Sequence, residues 1–428
     1  MKILVLTHRF PYPPVRGDCI RSWGEVEYLS RRHDVWLACV DRTRPAPADL
    51  ARVRRCCRDV AIIVRSGAVS LFRGGLSLLV GGSLTEGYFH DARLARRVKR
   101  WDAAVGFDAV LTFSPAMAPY ASLVRGARCV LDMNDVESCK WRDFAQRSQP
   151  PVSWLYGLEA RRLPRAEAAW IRAHDIALLV NERERDKLPE SLRARTAVVR
   201  TGVDLAHYGE VAGADGAPRV PREPVMGFVG SMFYAPNVRA VQWFGQAVWP
   251  RVRQAVPGAR WLIVGNRPTR GVRAWGRAAG VTVTGFVADV RPYLRRMRVF
   301  VCPLREQIGV QTKLIEALAA GRPAVVTPEV AAGIDHDDPP PFAVSGSPAG
   351  FADAVIRLLR DDTHARALAR RARRTAESTY DAAEQLREVE RWLTGEASRS
   401  ECELRRQAVA APRGAQALMS AMQGVPGL

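Results

Sequence analysis

Residues 299–327 have the sequence VFVCPLREQIGVQTKLIEALAAGRPAVVT, which combines the parts of an anion-binding α/β unit. The apolar run Val299–Cys302 predicts a buried strand, and a glycine-bearing loop follows it. The spacing then predicts a helix that begins near Gln311 and ends at Gly321, because glycine readily adopts the left-handed conformation at a helix end. Backbone N–H groups at the start of this helix favour a phosphate, and Lys313 in the first turn adds a positive charge.

Glu316 lies three residues after Lys313, at a spacing that places both side chains on one face of the predicted helix. A carboxylate beside a phosphate site, but not on it, suits the two hydroxyls of a ribose. The same pair also fits an ordinary amphipathic helix in which Lys and Glu only pair with each other at the surface. The spacing alone leaves both interpretations open.

Short apolar runs alternate with helical patterns along the chain, which is typical of βαβ units with parallel sheets. The first series of predicted strands comprises Lys2–Thr7, Val35–Val40, Val60–Val64, Ala109–Thr112, Cys129–Met133, Ile176–Val180 and Ala197–Arg200. The second series comprises Val225–Val229, Trp261–Val264, Val281–Thr284, Val299–Cys302 and Ala324–Thr327, with helices such as Val238–Gln254 and Phe351–Leu359. The fold class predicted is α/β, with two Rossmann-like, doubly wound domains that face each other across a cleft.

The domain boundaries follow from changes in composition. A Rossmann-like domain is expected over residues 1–205, and a stretch rich in glycine, proline and small polar residues predicts a linker over 206–222. A second Rossmann-like domain is expected over 223–378. A helix over 379–397 is expected to return to the first domain, and small residues without a period predict a flexible tail over 398–428.

The chain has 428 residues, 47% of them hydrophobic and 25% charged, which excludes a disordered protein, a collagen and a disulfide-stapled miniprotein. No stretch has the roughly 18 uncharged apolar residues that a membrane-spanning helix needs. The apolar start of the chain is too short for a signal-peptide core. Its eight cysteines show no metal-binding or Cys-x-x-Cys spacing. We therefore expect a cytoplasmic protein, with the inner face of the cytoplasmic membrane as a further location.

The chain is strongly basic, with 64 Lys and Arg against 44 Asp and Glu. Such a charge favours anionic partners, among them phosphorylated substrates and anionic lipids. Residues 1–200 alone hold 34 basic and 22 acidic residues. Within them Ala68–Val80 is apolar apart from Arg73, and its length favours a helix buried in the core. The alternative is a helix that lies on a membrane beside a lipid-linked acceptor.

The segment GVQTKLIEALAAGRPAVV (309–326) resembles the nucleotide-sugar motif of family 4 glycosyltransferases of the GT-B fold. The resemblance is closest to the sugar transferases found with PEP-CTERM/exosortase exopolysaccharide systems. Further blocks that agree with this family occur in the same order, namely PYPPVRGDCIRSW (11–23), LDMNDVESCKWRDFA (131–145), TGVD (201–204), GFVGSMFYAPN (227–237) and TGFVADVRPYL (284–294). Together they extend over about residues 1–395. The first domain would then hold the acceptor and the second the donor.

The resemblance implies a role for each matching position. Donor phosphates would be approached by Gly17, Gly230 and Ser231. The segment Gly285, Phe286 and Val287 resembles the one whose backbone contacts the base. Gln311 and Lys313 would contact phosphate or sugar oxygens, and Glu316 the ribose.

Asn134 and Asp135 fall where many relatives carry a histidine–aspartate pair beside the transferred sugar. Asp135 is the candidate for positioning the acceptor or the sugar, although an aspartate after a strand can also simply cap a helix. With Lys313 as the group that stabilises the leaving diphosphate, the expected catalytic residues are Asp135, Asn134 and Lys313.

Two departures from the wider family stand out. Its usual pair of glutamates, eight positions apart, has only its second member here, because Ile308 stands eight residues before Glu316 and Glu306 is displaced by two. The Arg and Lys that relatives carry after the first strand of the second domain are missing here, because Ser231 and Met232 follow Gly230 and the next basic residue is Arg239. Neutralisation of the donor phosphates would then depend on Lys313 and helix termini, with Arg16 or Arg305 as further candidates.

The expected function is that of a retaining, metal-independent hexosyltransferase. It would transfer a sugar from a nucleoside-diphosphate sugar to a saccharide or lipid-linked saccharide in exopolysaccharide or lipid-linked oligosaccharide biosynthesis. No cofactor is expected, and the histidines show no metal-ligand spacing. A peripheral contact with an anionic membrane is expected, whereas nucleic acid is not, because no recognisable nucleic-acid-binding module is present.

Three alternatives compete with this function. An oxidoreductase of similar fold would need Gly-x-Gly-x-x-Gly after an opening strand, and neither residues 7–17 nor 230–237 supply it. A nucleotide-sugar epimerase would share the donor site but would need acid and base residues that the sequence does not place. A protein that binds nucleotide sugar without turnover fits the missing glutamate and the missing Arg and Lys.

Overall fold

The computed structural model describes residues 1–14, 17–212, 218–306 and 309–397. The chain divides into two compact units. Among the described residues, the first unit comprises 1–199 and 386–397, and the second comprises 200–385. Each unit is built on one parallel sheet, so the predicted fold of two Rossmann-like α/β domains is confirmed.

The sheet of the first unit has seven parallel strands among the described residues, in the order β3-β2-β1-β4-β5-β6-β7. These are β1 (Lys2–Thr7), β2 (Asp34–Asp41), β3 (Asp59–Val64), β4 (Ala109–Phe113), β5 (Arg128–Asn134), β6 (Ile176–Leu179) and β7 (Thr196–Val198). Each overlaps a predicted strand. The strand order reverses between β1 and β4, so a crevice for a ligand is expected at their carboxyl ends.

Helices cover both faces of this sheet. They are α1 (Gly17–Ser30), α2 (Pro47–Arg54), α3 (Gly67–Leu79), α4 (Leu84–Phe89), α5 (Ala92–Val105), α6 (Ala118–Ala121), α7 (Glu137–Arg147), α8 (Val152–Ala173), α9 (Glu182–Asp186) and α10 (Glu190–Arg193). Successive residues of β1 enter opposite cores, since Ile3 and Val5 lie in one apolar cluster and Leu4 and Leu6 in another. This explains why the strand is apolar at every position.

The second unit is built on six parallel strands among its described residues, in the order β10-β9-β8-β11-β12-β13. These are β8 (Val225–Val229), β9 (Arg260–Val264), β10 (Val281–Val283), β11 (Val299–Cys302), β12 (Ala324–Val326) and β13 (Ala343–Val344). The last of them was not predicted, because two residues are too short for an apolar pattern. Here the order reverses between β8 and β11.

The helices of the second unit are α11 (Leu205–Ala212), α12 (Ala235–Trp243), α13 (Trp249–Ala255), α14 (Arg270–Trp275), α15 (Arg291–Arg296), α16 (Thr312–Ala319), α17 (Pro328–Ala331), α18 (Pro348–Arg360) and α19 (Asp362–Thr379). The single helix predicted over Val238–Gln254 is instead α12, a π-helical segment over Phe244–Val248, and α13. Pro250 lies in the first turn of α13, where its missing N–H group costs little.

Residues 206–222 differ from the predicted linker. Their described part belongs to the second unit, and α11 occupies much of it. Tyr208 on this helix is only 6% exposed and joins the apolar core of the unit. The composition suggested a linker because glycine and proline dominate after residue 212, and a short helix with one buried aromatic residue has too little pattern to stand out.

The last described helix, α20 (Ala382–Thr394), passes from the second unit into the first. Its Val389, Trp392 and Leu393 lie in the same apolar cluster as Trp23 of α1. The predicted tail over 398–428 lies outside the described residues. Within the described part of the chain, no helix combines the length and the apolar character needed to cross a bilayer.

Candidate active site

The donor residues proposed from the sequence follow three strands of the second unit, at the carboxyl edge of its sheet. Gly230 and Ser231 come after β8, Gly285 after β10, and Gln311 after β11. Because the strand order reverses between β8 and β11, the loops after these two strands flank the switch point of the sheet. Open α/β sheets bind their ligands at this place.

The helix predicted after β11 is confirmed. Gln311 directly precedes α16 and is 9% exposed, and Gly321 follows the helix with φ at +62°. The buried face of α16 is apolar, whereas Lys313 and Glu316 are half-buried. The start of this helix therefore offers a partly accessible cationic side chain beside the backbone N–H groups of a first helical turn, which is the arrangement that binds anions.

Lys313 is held at Gly230 by a neutral partner. Its Nζ donates a hydrogen bond to Asn237 Oδ1 at 2.7 Å, and Asn237 Nδ2 donates to the carbonyl oxygen of Ser231 at 3.0 Å. A Cβ added to Gly230 would lie 2.7 Å from Asn237 Nδ2 and 3.4 Å from Lys313 Nζ. Burial lowers the pKa of Lys313 from its ordinary value. The ammonium is thus fixed at the Gly230 loop by an uncharged amide group.

The loops after β8 and β9 are locked together by close backbone approach. Gly265 has φ at +154°, and a Cβ at this position would lie 1.7 Å from the carbonyl oxygen of Gly230. The N–H group of Gly230 donates to Val264, and that of Met232 donates to Asn266. Gly230 therefore has its backbone conformation defined from both sides.

Glu316 is bonded to Tyr208 on α11 rather than to Lys313. The Tyr208 hydroxyl hydrogen-bonds with the Glu316 carboxylate. Burial raises the pKa of Glu316 to about 7, and both the hydroxyl and the charge of Lys313 oppose that rise. The surface pairing of Lys313 with Glu316 that the spacing allowed is thus absent from the described structure, because each side chain has its bond to another element.

The segment proposed to contact the base follows the edge strand β10. Gly285 has φ at +73°, and the Thr284 hydroxyl donates to the Gly285 carbonyl at 2.9 Å. The Phe286 ring is 70% exposed, and Val287 is half-buried against the core of the unit. An aromatic face and nearby backbone groups are thus available to a ligand at this strand end.

Glu306, the glutamate displaced by two positions from the family pattern, pairs with an arginine. Glu306 accepts a hydrogen bond from Arg239 Nε at 2.5 Å, and the Arg305 guanidinium lies 5.5 Å from the centre of the Trp243 ring. These side chains line a cavity of about 290 Å³ together with Pro236, Ala240 and Pro303. Ile308, at the family position of the first glutamate, lies outside the described residues, as does Arg16.

In the first unit, Gly17 is the exposed first residue of α1, the helix that follows β1 in the chain. Asn134 ends β5 with φ at +64°, and its Nδ2 donates to Asp135 Oδ2 at 3.1 Å. The same Oδ2 lies 2.5 Å from Lys140 Nζ. Asp135 Oδ1 is buried and has no hydrogen-bond partner among the described residues. Asp135 does not cap α7, which begins after Val136 without a side-chain cap.

Backbone strain marks the ends of two neighbouring strands in this unit. Ser114 follows β4 with φ at +79°, and Asn134 ends β5 with a positive φ as well. Residues with side chains rarely adopt this conformation unless the surrounding structure imposes it, and such residues concentrate at functional sites. The strain therefore supports the placement of a site at Asn134.

A buried charge cluster beneath this edge was not predicted from the sequence. Arg21 Nε lies 2.6 Å from Asp132 Oδ2 and 3.5 Å from Glu25 Oε1, and all three side chains are at most 9% exposed. Asp132 Oδ1 accepts the backbone N–H of Asn134 at 3.1 Å. Burial and the charge of Asp132 raise the pKa of Glu25 well above its ordinary value. In the sequence, Arg21 and Glu25 have the spacing of an ordinary surface pair.

Two further residues of the candidate site, Asn237 and Tyr208, were not predicted from the sequence. Asn237 stands in one of the family blocks, but its amide acts through Lys313, which is 76 residues away in the chain. Tyr208 stands in the segment interpreted as a linker. Across the described residues, no group of three or more His, Cys, Asp or Glu side chains is placed to hold a metal ion.

Residues 223–361 match the protein family described as glycosyl transferases group 1. This segment contains Gly230, Lys313 and Glu316, but not the polar residues of the first unit. None of the curated proteins is similar enough in sequence to match the chain.

Solved structures of similar fold cover nearly the whole chain. HepE of Anabaena, in complex with UDP, shares 13% identity with a TM-score of 0.61 and covers 92% of this chain and 100% of its own. Sucrose-phosphate synthase from Thermosynechococcus elongatus shares 15% identity with a TM-score of 0.62, at 93% and 100% coverage. WaaG, a glycosyltransferase involved in lipopolysaccharide biosynthesis, shares 16% identity with a TM-score of 0.58, at 92% and 100%.

At these identities the likeness shows the fold, which is that of GT-B glycosyltransferases. The family match of the second unit adds chemistry to the fold. Together they support glycosyltransferase activity, in agreement with the enzyme class expected from the sequence.

Proposed function

We propose that this protein is a retaining, metal-independent glycosyltransferase that transfers a sugar from a nucleoside-diphosphate sugar to a saccharide or lipid-linked saccharide. Its place would be in exopolysaccharide or lipid-linked oligosaccharide biosynthesis, of the kind found with PEP-CTERM/exosortase systems. The observation that carries the proposal is the network of Lys313, Asn237 and Ser231 beside Glu316, within the segment that matches the glycosyl transferases group 1 family. HepE, whose fold is similar, has been solved in complex with UDP-glucose.

On the donor side, the diphosphate would lie between the Gly230 loop and the start of α16. The ammonium of Lys313 and the backbone N–H groups at that helix start would stabilise the negative charge that grows on the leaving group. Glu316 would accept hydrogen bonds from the ribose hydroxyls. Phe286 and the backbone at Gly285 would contact the base.

The reaction would proceed on one face of the sugar. The bond between the anomeric carbon and the phosphate oxygen breaks, and its electron pair stays on the diphosphate. The acceptor oxygen bonds to the anomeric carbon from the same face, and the acceptor proton passes to the leaving diphosphate oxygen. Asn134 and Asp135 would position the acceptor hydroxyl or the sugar, since Asp135 Oδ1 has no hydrogen-bond partner within the described structure.

A test is to incubate the purified protein with a panel of nucleoside-diphosphate sugars in EDTA and to measure both nucleoside diphosphate release and the sugar product. We expect release with a preferred donor, retention of the donor's anomeric configuration by NMR, and loss of release in Glu316→Ala. Binding without release would favour the non-catalytic alternative. A donor sugar recovered with an inverted hydroxyl would favour an epimerase.

The proposed membrane contact is supported by an apolar surface on the first unit. Most exposed large hydrophobic side chains in the described part of that unit lie on two segments, namely α3 with Val80 (Val69, Leu71, Phe72, Leu76, Leu79, Val80) and α7 with the start of α8 (Phe144, Val152, Trp154, Leu155). The expectation that Ala68–Val80 is a core helix is therefore wrong, because only Ser70, Gly74 and Leu78 of α3 are buried.

Helix α8 is hydrogen-bonded to α3 and to the residues that follow it, since Arg162 donates to the carbonyl of Leu78. Glu159 on α8 accepts the backbone N–H of Leu84 and Thr85, which follow α3, and Arg162 donates to the carbonyl of Gly82. Arg142, Arg147, Arg161 and Arg165 are exposed on α7 and α8. Apolar side chains flanked by arginines suit a membrane that contains anionic lipids.

Sedimentation with lipid vesicles tests this contact. We expect binding to phosphatidylglycerol-containing vesicles, weaker binding to pure phosphatidylcholine, and loss of binding in a Phe72→Ser, Leu79→Ser double variant. Val344→Ser, which changes an exposed apolar residue of the second unit, is the matched control and should bind as the unmodified protein does. Equal sedimentation of all variants would contradict a contact through this surface.

A further inference from the structure

Helix α11 brings one aromatic hydroxyl to the candidate ribose site. The helix packs against α15 and α16 within the second unit. The ring of Tyr208 is buried among the apolar residues of the core, so its position is set by packing rather than by solvent. From this position its hydroxyl bonds to the carboxylate of Glu316.

We propose that Tyr208 is a positioning residue for donor binding, whose hydroxyl holds the Glu316 carboxylate in the orientation that receives the ribose hydroxyls. The inference rests on the proposed function, because it takes Glu316 to be the ribose ligand. A carboxylate has about four lone-pair directions, so one bond to Tyr208 leaves room for two ribose hydroxyls. A glutamate side chain without such a partner would lose rotational freedom on binding, and this loss weakens affinity.

The hydroxyl also acts on the charge of Glu316. Burial raises the pKa of this carboxyl to about 7, and the hydrogen bond from Tyr208 favours its ionised form. Burial and the negative charge of Glu316 in turn raise the pKa of Tyr208, so the hydroxyl stays a donor across the neutral range. Removing the hydroxyl should therefore leave Glu316 protonated up to a higher pH.

Other charged groups surround the pair, and they set the expected pH profile. Lys313 lies on the same helix as Glu316 and favours its ionised form. Asp289 and Arg291, at the start of α15, act on Tyr208 with opposite sign. From α19, Arg373 donates to the carbonyl of Ala319 on α16. His207 also lies beside Tyr208 on α11, with the two ring centres 5.2 Å apart. A change in binding between pH 6 and 8 is therefore assigned to Glu316 only where it disappears in Glu316→Gln, which keeps His207.

The experiment measures the dissociation constant of UDP, with ADP, GDP and dTDP beside it, by calorimetry at pH 6, 7, 8 and 9. The protein is compared with Tyr208→Phe, Glu316→Gln and Tyr380→Phe. Tyr380 is the matched control, because it is 2% exposed in the same unit and its hydroxyl donates to the carbonyl of Asp335 instead. A thermal melt of each variant monitors folding.

For the nucleotide that binds most tightly, we expect Tyr208→Phe to weaken binding about tenfold at pH 7, which is the size of one hydrogen bond to a charged group. The loss should be smaller at pH 9, where Glu316 is ionised in both proteins. Tyr380→Phe should bind as the unmodified protein does. The 2′,3′-dideoxy form of the same nucleotide should bind equally well to the unmodified protein and to Tyr208→Phe, because it has no hydroxyls for Glu316 to receive.

Equal losses for the nucleotide and its dideoxy form would overturn the inference, since Tyr208 would then act only through the structure of the unit. Unchanged nucleotide binding in Tyr208→Phe would overturn it as well. If Glu316→Gln binds the nucleotide normally, the ribose role of Glu316 fails, and this result is separate from any effect of Tyr208.

Discussion

In the second unit, the two charged side chains of the proposed donor site, Lys313 and Glu316, are held by neutral groups, whereas in the first unit the charged side chains at the end of β5 are held by opposite charges. Lys313 takes the amide of Asn237 as its partner, and Glu316 takes the hydroxyl of Tyr208. A neutral partner fixes the position of a charge and leaves the charge for a ligand.

In the first unit, charged side chains pair with side chains of opposite charge. Lys140 lies against Asp135 at 2.5 Å, and Arg21 lies against Asp132 at 2.6 Å. Each pair cancels much of its own field, so little net charge remains for an ionic ligand. On the proposed function, ionic recognition would therefore fall to the second unit, and the first would orient an uncharged hydroxyl.

The largest effect is expected from Lys313→Ala. Removing the ammonium should lower donor turnover by about 10²- to 10³-fold, because a fixed donor at the leaving group is lost. Turnover with saturating donor, measured by nucleoside diphosphate release, checks the prediction. Lys99→Ala, which removes an exposed lysine on α5, is the control and should retain full turnover. A loss below about threefold in Lys313→Ala would break the proposed division between the units.

Asp135→Asn tests the role proposed for the first unit. We expect sugar transfer to fall by about 100-fold, as for loss of a positioned polar group, while affinity for nucleoside diphosphate stays within about twofold. Asp143→Asn on α7 is the matched control and should do neither. Calorimetry with the nucleoside diphosphate, together with a transfer assay, measures both quantities. A parallel loss of nucleotide affinity would contradict the assignment of ionic recognition to the second unit.

Glu25→Gln probes the buried charge cluster of the first unit through the pH dependence of stability. The pKa of Glu25 is raised in the folded protein, so the folded state keeps a proton that the unfolded state releases as pH rises above the ordinary glutamate value. That contribution to stability is present at low pH and is lost as pH rises through the folded pKa. Glutamine cannot ionise, so the variant should gain stability relative to the unmodified protein from pH 5 to 8.

Thermal unfolding at pH 5, 6, 7 and 8 checks this expectation. Between pH 5 and 8 the Tm of Glu25→Gln should rise by a few degrees relative to that of the unmodified protein, which corresponds to about 1 kcal/mol of unfolding free energy. Glu27→Gln is the control, because Glu27 lies on the same helix but is half-buried and paired with Arg52. Its difference from the unmodified protein should not change with pH across this range. If the Tm difference between Glu25→Gln and the unmodified protein is the same at every pH, the carboxyl of Glu25 is ionised in the folded state.

The smallest effect is expected from Glu306→Gln. Its carboxylate is bonded to Arg239, whose side chain is 59% exposed, and exposed ion pairs contribute about 0–1 kcal/mol. We expect turnover and donor affinity to change by less than about threefold. Arg239→Gln, which removes the partner, should behave alike. A loss of 100-fold would instead mean that Glu306 takes over the sugar contact of the glutamate missing at position 308.

The strands were the part of the fold most open to prediction, because both faces of each sheet are covered and central strands such as β1 and β11 are apolar at nearly every position. The start and end of α16 were also predictable, since a glycine loop precedes the helix and Gly321 follows it. The π-helical segment after α12 was not predictable. The shift of one position that such a segment introduces is too small to distinguish from the ordinary scatter of apolar residues over so few turns.

The candidate site was predictable where function depends on a local pattern, as for Lys313 and Glu316. It was not predictable where a partner comes from a distant element. Asn237 and Tyr208 meet their charges only after β8, α11 and α16 have assembled, and no spacing in the chain records those contacts.

The helix α20 gives the order of synthesis a physical consequence. Trp392 and Leu393 complete the apolar cluster around Trp23, so part of the first unit's core is translated after the whole of the second. While the ribosome is still making residues 200–385, the nascent first unit lacks the apolar side chains of α20 that join the cluster around Trp23. During this interval a chaperone that binds apolar surface can cover the side chains around Trp23. A nonsense codon before residue 386 would leave those side chains permanently without their α20 partners.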